Sequence, residues 1–373
     1  KTTLTIVALA LATSVSAQES PLWMRYCAIS PDGSAVAFTY KGDIYTVPTT
    51  GGTARQLTTN AAYDTHPVWS PDSKQLAFCS NREGSMDVYV MQREGGTPRR
   101  LTTNSNSETP IAFKDNNTVL YTSSIIPSAK SIIFANRMLP QVYEVGTNGS
   151  RPHLFSALPM MDISIRPNGD LLYHDQKGYE DPWRKHHRSP ITRDIWLRRG
   201  GKYTKLTNFN GEDRTPVWAA QGDTFYYLSE EDGTFNVYMR NIDGTGKQQL
   251  TRHTTNPVRF LTAANDGTLC YGYDGEIYTL KQGAQPQKLK VNIVTDKIDT
   301  DLDRQTLFTG ATEIALSPDG KELAFVLHGD VYVTSNNYRT TKQITYTPEQ
   351  EREIQFAPDG RSIVYASERG GLW

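Results

Sequence analysis

The sequence contains few cysteines and little net charge. Only three cysteines, Cys27, Cys79 and Cys270, occur in 373 residues, and Lys plus Arg (39) nearly balance Asp plus Glu (40). Three cysteines are too few for a disulfide-rich scaffold, and an odd number cannot all pair. We expect buried free thiols rather than a disulfide. A net charge of −1 gives no electrostatic reason to expect a nucleic-acid partner.

The sequence also lacks the short motifs that usually mark an active site. It has no Gly-x-Ser-x-Gly, no His-Glu-x-x-His and no glycine-rich phosphate loop between a strand and a helix. We therefore predict no catalytic residue, no metal site and no cofactor in this chain. A hydrophobic content of 37% with 10% aromatic residues still supports a globular core.

An apolar run at the N-terminus predicts a targeting segment. Residues 4–11 follow the basic Lys1, are too few to span a bilayer, and precede Val15, Ser16 and Ala17. We predict a signal peptide over 1–17, cleaved after Ala17. Because no cysteine follows closely enough to take a lipid anchor, we expect a protein secreted across the inner membrane, with the periplasm as the leading compartment and no membrane span after cleavage.

The strongest pattern is an internal repeat. A turn of the type Ser-Pro-Asp-Gly recurs eight times at intervals of about 40 to 53 residues, the period of β-propeller blades. Each turn precedes an apolar strand, and four strands fit the interval. The turns are centred on Asp32, Asp72, Asp115, Asn168, Gln221, Asp266, Asp319 and Asp359.

The second repeat illustrates the predicted blade. Its strands are predicted at 67–70, 75–79, 87–91 and 99–102. The Pro-Asp-Gly turn suits a hairpin between strands one and two, because proline presets φ and glycine accepts a positive φ. In strand two, an alanine flanked by larger residues predicts burial on both faces.

Strand three of most repeats begins with an acid or amide followed by an aliphatic residue and an aromatic one. Because a propeller has one central site rather than one per blade, an acid repeated in every blade is architectural rather than catalytic. The positions are Asp43, Asp87, Asp194, Asn236, Glu276 and Asp330.

The repeats divide the chain into predicted domains. We predict an all-β fold with a six-bladed β-propeller of four-stranded antiparallel blades at 20–291, a linker at 292–311, and the truncated start of a second propeller, its first one and a half blades, at 312–373. A single ring of seven or eight blades is the alternative. Blade one supplies four strands of its own, so we expect the ring to close without borrowing a terminal strand from the far end of the chain. Because the eighth repeat stops before its third strand, we expect a fragment of a longer protein.

These residues resemble a known family. The Ser-Pro-Asp-Gly turns with endings such as Gln56, Leu57 and Thr58 resemble the TolB-type propeller repeat. The segments 177–196 and 308–314 resemble secreted bacterial tricorn-type serine peptidases of the C-terminal-processing-peptidase clan. The resemblance covers the whole chain after the predicted signal peptide.

The resemblance implies an order of domains. In that family a six-bladed propeller, a seven-bladed propeller, a PDZ domain and a peptidase core follow one another, and the nucleophilic serine and the basic histidine lie in the distal core. It implies peptides or unfolded segments as ligands, contacts with the chain's own PDZ and peptidase domains, and a possible homo-oligomer. No residue of this chain inherits a catalytic role.

A long loop of blade four, between strands two and three, gathers the candidate binding residues. An aromatic side chain among clustered cations suits a peptide carboxylate or an acidic partner surface. The same charges also suit docking on the next domain or subunit. Adjacent histidines point apart in extended chain, so we predict no metal there. The candidates are Trp183, Arg184, Lys185, His186, His187, Arg188 and Arg193.

Ionisable residues near the start of strand one form a second set of candidates. The innermost strand of each blade lines the centre of a propeller, so we expect these side chains at the central channel, solvated or paired within the ring. They are Asp64, His66, Glu108, Asp162 and Asp213.

Three functions are compatible with the repeats. The first is the non-catalytic propeller portion of a secreted tricorn-like serine protease that gates or channels peptides to a distal peptidase core. The second is a TolB-like periplasmic protein-binding scaffold without enzymatic activity. The third is the propeller of a prolyl-oligopeptidase-type hydrolase.

Overall fold

A computed structural model of the protein describes residues 21–125, 139–178, 186, 188–294, 307–338 and 340–373. Within these residues all regular elements are β-strands. The chain divides into two compact units, Lys1–Thr295 and Asp296–Trp373. The predicted signal peptide lies outside the described residues. In the part of the chain that is described, no helix is long and apolar enough to cross a bilayer.

Six four-stranded antiparallel sheets, called blades one to six, build the first unit. Each blade takes its four strands consecutively from the chain. Blade one contains β1 (Arg25–Ile29), β2 (Ala35–Tyr40), β3 (Asp43–Pro48) and β4 (Gly52–Gln56). Blade two contains β5 (Asp64–Trp69), β6 (Gln75–Ser80), β7 (Asp87–Gln92) and β8 (Gly95–Arg100). Blade three contains β9 (Glu108–Asp115), β10 (Thr118–Ser123), β11 (Gln141–Gly146) and β12 (His153–Ser156).

Blades four to six repeat this order. Blade four contains β13 (Met160–Ile165), β14 (Leu171–Asp175), β15 (Ile195–Arg199) and β16 (Lys202–Lys205). Blade five contains β17 (Asp213–Trp218), β18 (Thr224–Ser229), β19 (Asn236–Asn241) and β20 (Gln248–Gln249). Blade six contains β21 (Arg259–Ala263), β22 (Leu269–Tyr273), β23 (Glu276–Leu280) and β24 (Gln287–Lys288).

The first strands of the six blades contact one another in a closed cycle, with β21 against β1. The predicted six-bladed ring is confirmed, and a ring of seven or eight blades is excluded. As predicted, blade one supplies four strands of its own, and β25 (Val291–Ile293), which directly follows blade six, pairs in parallel with β4 as a fifth strand. The strand begins at the last residue of the predicted propeller and includes two residues assigned to the linker. Leu289 and Val291 are buried in the core between blades one and six, which draws this segment onto blade one.

The repeated turn is closed by its own side chains. In blade one, the Asp32 carboxylate accepts hydrogen bonds from the Ser30 hydroxyl (2.5 Å) and from the Ser34 backbone N–H (3.0 Å). Gly33 has a φ of 71°, which glycine adopts without a steric penalty. The aspartate of the turn is therefore structural, as predicted.

The threonine of the Leu-Thr pair binds strand three in blades one, two, four and five, and in blade one it also binds the strand-three acid. The Thr58 hydroxyl accepts from the Ile44 backbone N–H (2.9 Å) and donates to the Asp43 carboxylate (2.9 Å). A threonine hydroxyl accepts from a strand-three N–H in the same way at Thr102, Thr207, Thr251 and Thr345. These contacts confirm an architectural role for the strand-three acid.

The core lies between blades. Val36, Ala37 and Phe38 of β2 have no exposed surface, so the second strand is buried on both faces as predicted. The three cysteines are free and buried. Cys27 and Cys270 share the core between blades one and six.

The second unit contains a four-stranded antiparallel sheet and a two-stranded sheet. The four-stranded sheet contains β26 (Ala311–Leu316), β27 (Glu322–Leu327), β28 (Asp330–Ser335) and β29 (Thr341–Gln343). The two-stranded sheet contains β30 (Glu351–Phe356) and β31 (Ile363–Ser367). Ile354 packs with Ala324 and Val331, so the two sheets share one small core.

Candidate functional site

A central channel of about 1480 Å³ lies within the ring, and the first strand of every blade lines it. This volume exceeds the roughly 300–1,000 Å³ of a typical small-molecule pocket. The channel is therefore large enough for an extended segment of several residues.

A β-bulge in the first strand selects which side chains enter the channel. In blade two, Thr65 pairs with Cys79 and Val68 with Ala77, so two residues oppose Phe78 alone. The first bulged residue has a positive φ of 47–58° in five blades. A non-glycine residue pays a penalty in this region, and bulges commonly re-aim side chains. The five residues, all lining the channel, are Tyr26, His66, Asp162, Thr215 and Phe260.

Blade three departs from this pattern because a proline occupies the position. The proline ring fixes φ near −65°, so Pro110 cannot take the positive φ of its counterparts. Its strand carries a smaller bulge, with Pro110 opposite Tyr121 and Ala112 opposite Leu120. At the bulge position, blade three therefore contributes the apolar ring of Pro110.

The aromatic wall of the channel consists of Phe260, Tyr26 and His66, from the neighbouring blades six, one and two. The Tyr26 ring lies 3.7 Å from the His66 ring and 4.8 Å from the Phe260 ring, centre to centre. All three side chains are partly exposed. Together they form a continuous aromatic surface across three blades.

The aromatic wall is uncharged near neutral pH. Burial lowers the pKa of His66 to about 4 and raises the pKa of Tyr26. His66 Nδ1 lies 3.8 Å from the Cys79 sulfur, and burial raises the pKa of that thiol to about 12. Imidazole, phenol and thiol therefore remain neutral together.

The polar wall lies on blades four and five and consists of Asp162, His174, Arg193, Arg214 and Thr215. The Thr215 hydroxyl donates to Asp162 (2.7 Å), and the Thr215 backbone N–H donates to His174 Nδ1 (3.3 Å). Burial raises the pKa of Asp162 against the opposing effects of Thr215 and the two arginines. Burial also lowers the pKa of His174 well below its usual value, with the arginines acting in the same direction.

A buried glutamate holds the two arginines of the polar wall together. Arg193 Nη1 lies 3.4 Å from Glu212 Oε2, and Arg214 Nε donates to the same oxygen (2.8 Å). Burial tends to raise the pKa of Glu212, but the Arg214 hydrogen bond and both positive charges outweigh it and lower this pKa. The polar wall is thus a paired cluster that links two blades.

The polar wall does not have the geometry of a hydrolytic triad. The Thr215 hydroxyl donates to a carboxylate and not to an imidazole nitrogen, so the trio with Asp162 and His174 lacks a nucleophile activated by a histidine base. Across the described residues, no group of three or more His, Cys, Asp and Glu side chains could hold a metal ion.

The predicted basic loop is only partly described. Trp183, Arg184, Lys185 and His187 lie outside the described residues. The His186 backbone N–H donates to the Glu230 carboxylate of blade five (2.8 Å), and Arg188 is exposed. Arg193 is 7% exposed and belongs to the polar wall, so the structure separates it from the exposed part of the loop.

Among the predicted strand-one residues, His66 and Asp162 line the channel. Asp64, Glu108 and Asp213 are instead buried. The Asp64 carboxylate, for example, pairs with Arg82 at 2.7 Å. Tyr26, Thr215 and Phe260 also line the channel but were not among the predicted residues, because they resemble ordinary strand residues. Alignment of the repeats on the bulge position could have found them.

A family model described as the tricorn protease N-terminal beta propeller domain matches residues 21–286. Tricorn protease homolog 1 of Streptomyces coelicolor is 26% identical over 372 residues, which cover 96% of this chain and 33% of that protein. The tricorn protease homolog of Saccharolobus solfataricus is 22% identical, with 81% of this chain and 27% of that protein covered. The chain thus spans about a third of the length of these relatives.

Among solved structures, the crystal structure of the tricorn protease matches with a TM-score of 0.62 and 17% identity. The match covers 91% of this chain and 33% of that chain. At this identity the likeness concerns the fold alone.

Proposed function

The chain belongs to the tricorn protease N-terminal β-propeller family, and we propose that it forms the non-catalytic, peptide-handling part of a secreted tricorn-like serine protease. In this proposal the ring binds peptides and passes them toward a peptidase core outside this chain. The PDZ and peptidase domains of the same protein, and further copies of it, are the proposed partners. The periplasm is the proposed compartment.

The central channel is the observation that carries this proposal. Its volume of about 1480 Å³ suits an extended peptide, and its two walls offer different contacts. Aromatic rings suit side chains, whereas the remaining acceptor positions of the Thr215 hydroxyl and the Asp162 carboxylate suit the backbone N–H groups of a peptide. A peptide passing through the ring meets both kinds of group at one level.

The blade-four loop is the proposed gate. Its stem is anchored, because Lys177 Nζ pairs with Asp194 and the His186 N–H donates to Glu230 of the neighbouring blade. A loop anchored at both ends and rich in cations suits contact with a peptide carboxylate. We expect replacement of Arg184, His186 and Arg188 by alanine to alter peptide handling without unfolding the ring. Unchanged peptide affinity and unchanged oligomer size in this triple variant would remove the gate from the proposal.

Binding without hydrolysis is the result that tests the function. The purified chain should bind a fluorescein-labelled short peptide saturably, measured by fluorescence anisotropy. It should not cleave the same peptide carrying a fluorophore and quencher. Hydrolysis that survives repeated purification would contradict a non-catalytic role. Absence of binding to any peptide would favour a protein-binding scaffold instead.

A further inference from the structure

The backbone of the aromatic wall would accept glycine more readily than the residues that are there. Tyr26, His66 and Phe260 have φ values of 52°, 55° and 58°, in the left-handed region that favours glycine. The bulge itself recurs in the second unit at Glu353 (φ 54°), so it belongs to the repeat. What differs between blades is the side chain, and three adjacent blades place a ring there despite the backbone penalty.

A glycine on the adjacent strand makes room for one of these rings. A Cβ atom on Gly272 would lie 2.9 Å from Phe260 Cδ2, closer than such atoms approach. Gly272 does not have a positive φ, so its backbone does not require glycine. The close approach of the Phe260 ring instead explains the missing side chain.

The charge around the aromatic wall disfavours a cationic ligand. Arg25 and Arg259 directly precede Tyr26 and Phe260, and both lie close enough to lower the pKa of the Tyr26 phenol against the larger effect of burial. Aromatic faces alone would also attract a cation. Two nearby guanidinium groups oppose a cation, so among the side chains that stack on aromatic rings an aromatic one is a better occupant than a cationic one.

We infer that the aromatic wall is a recognition site for one large apolar side chain of a peptide, with an aromatic side chain preferred over a cationic one. The inference rests on the proposed function, because it names the peptides that the channel would select. The side chain of the bound peptide stacks on Tyr26 and Phe260, and the backbone of the peptide faces Thr215 and Asp162 of the polar wall.

Matched peptides and matched variants test the inference on the purified chain. The probes are three dansyl-labelled short glycine-serine peptides whose central residue is phenylalanine, alanine or lysine. The phenylalanine peptide should bind about tenfold or more tightly than either of the others, as burial of one aromatic side chain predicts. Phe260→Gly and His66→Gly should reduce this preference to about onefold to threefold.

Two further variants separate recognition from folding. Lys41→Gly relieves a positive φ of 50° at a turn outside the channel and should leave the preference unchanged. Phe260→Asn removes the ring while retaining a residue that tolerates positive φ, and it should lose the preference with an unchanged circular dichroism spectrum.

The outcomes distinguish this inference from the proposed function. Equal binding of all three peptides by the unmodified chain would overturn the aromatic site while leaving peptide binding intact. A preference that persists in Phe260→Gly, Phe260→Asn and His66→Gly would overturn it as well. Binding of none of the peptides would contradict the proposed function itself.

Discussion

The two walls of the channel stand on the same backbone feature but are held in opposite ways. In the polar wall, Asp162 and Thr215 join blades four and five by a hydrogen bond, and Glu212 pairs with Arg193 and Arg214. In the aromatic wall, the rings of Phe260, Tyr26 and His66 contact one another across three blades. The repeat therefore supplies the position, while the side chain determines whether that position carries a hydrogen bond between blades or an aromatic ring that faces the channel.

Loss of the buried Glu212 carboxylate, which pairs with both arginines of the polar wall, should destabilise the protein most. Glu212→Ala leaves two buried guanidinium groups facing each other, so we expect a loss of about 3–5 kcal/mol in the free energy of unfolding. Urea denaturation measures this loss. Glu94→Ala, which removes the partner of Arg55 in a surface pair, is the matched control and should cost about 1 kcal/mol or less. Similar small losses in both variants would contradict the role given to the polar wall.

The aromatic wall should show its own pH dependence. Because the pKa of His66 is about 4 in the folded state, below its usual 6.5, the unfolded chain binds the proton first as the pH falls. The neutral His66 side chain therefore does not reduce the free energy of unfolding above pH 6.5. As the pH falls from 6.5 to 4, the free energy of unfolding should decrease by roughly 3 kcal/mol. His66→Phe should flatten this part of the profile, which unfolding at a series of pH values measures. Parallel profiles for the two proteins would argue against a neutral His66.

A smaller effect should appear when Gly272 gains a side chain. Gly272→Ala places a methyl group against the Phe260 ring, so we expect a loss of about 1–2 kcal/mol. In the double variant with Phe260→Gly, the methyl group no longer meets a ring and most of this loss should disappear. A double-mutant cycle measures the coupling. Strictly additive losses would show that the two residues do not compete for the same space.

The smallest expected effect concerns the hydrogen bond between the two polar-wall blades. Thr215→Val removes the donor to Asp162 but keeps the shape of the side chain, so we expect a loss of about 1 kcal/mol. Thermal unfolding measures it. Thr65→Val, at a buried threonine of blade two, controls for loss of a hydroxyl elsewhere in the ring. A larger loss of stability in Thr65→Val than in Thr215→Val would contradict a specific stabilising role of the hydrogen bond between Thr215 and Asp162.

The sequence predicted the ring because its signals are local and repeated. A turn closed by Asp32 and a Leu-Thr pair such as Leu57 and Thr58 need only nearby residues, so they are recognisable in each copy. The six blades and the structural role of the repeated acids followed from counting these copies.

The channel was harder to predict because a bulge changes the alternation of side chains. Simple alternation places Asp64 and His66 on the same face, but the bulge sends His66 into the channel while Asp64 is buried against Arg82. Arg193 was predicted to be part of the basic loop because the sequence does not show its partner, Glu212, which comes from the next blade. The three-residue strand Val291–Ile293 carried no signal, since its pairing depends on ring closure.

Photocrosslinking shows directly whether a peptide binds at the aromatic wall of the channel. A short peptide with one benzoylphenylalanine is bound to the purified chain, irradiated and mapped by mass spectrometry. We expect saturable crosslinks in the strands that carry Tyr26, His66 and Phe260, and we expect their loss when an excess of the phenylalanine peptide competes. Crosslinks that map only to the outer strands of the blades, or that are not displaced by the competitor, would contradict it.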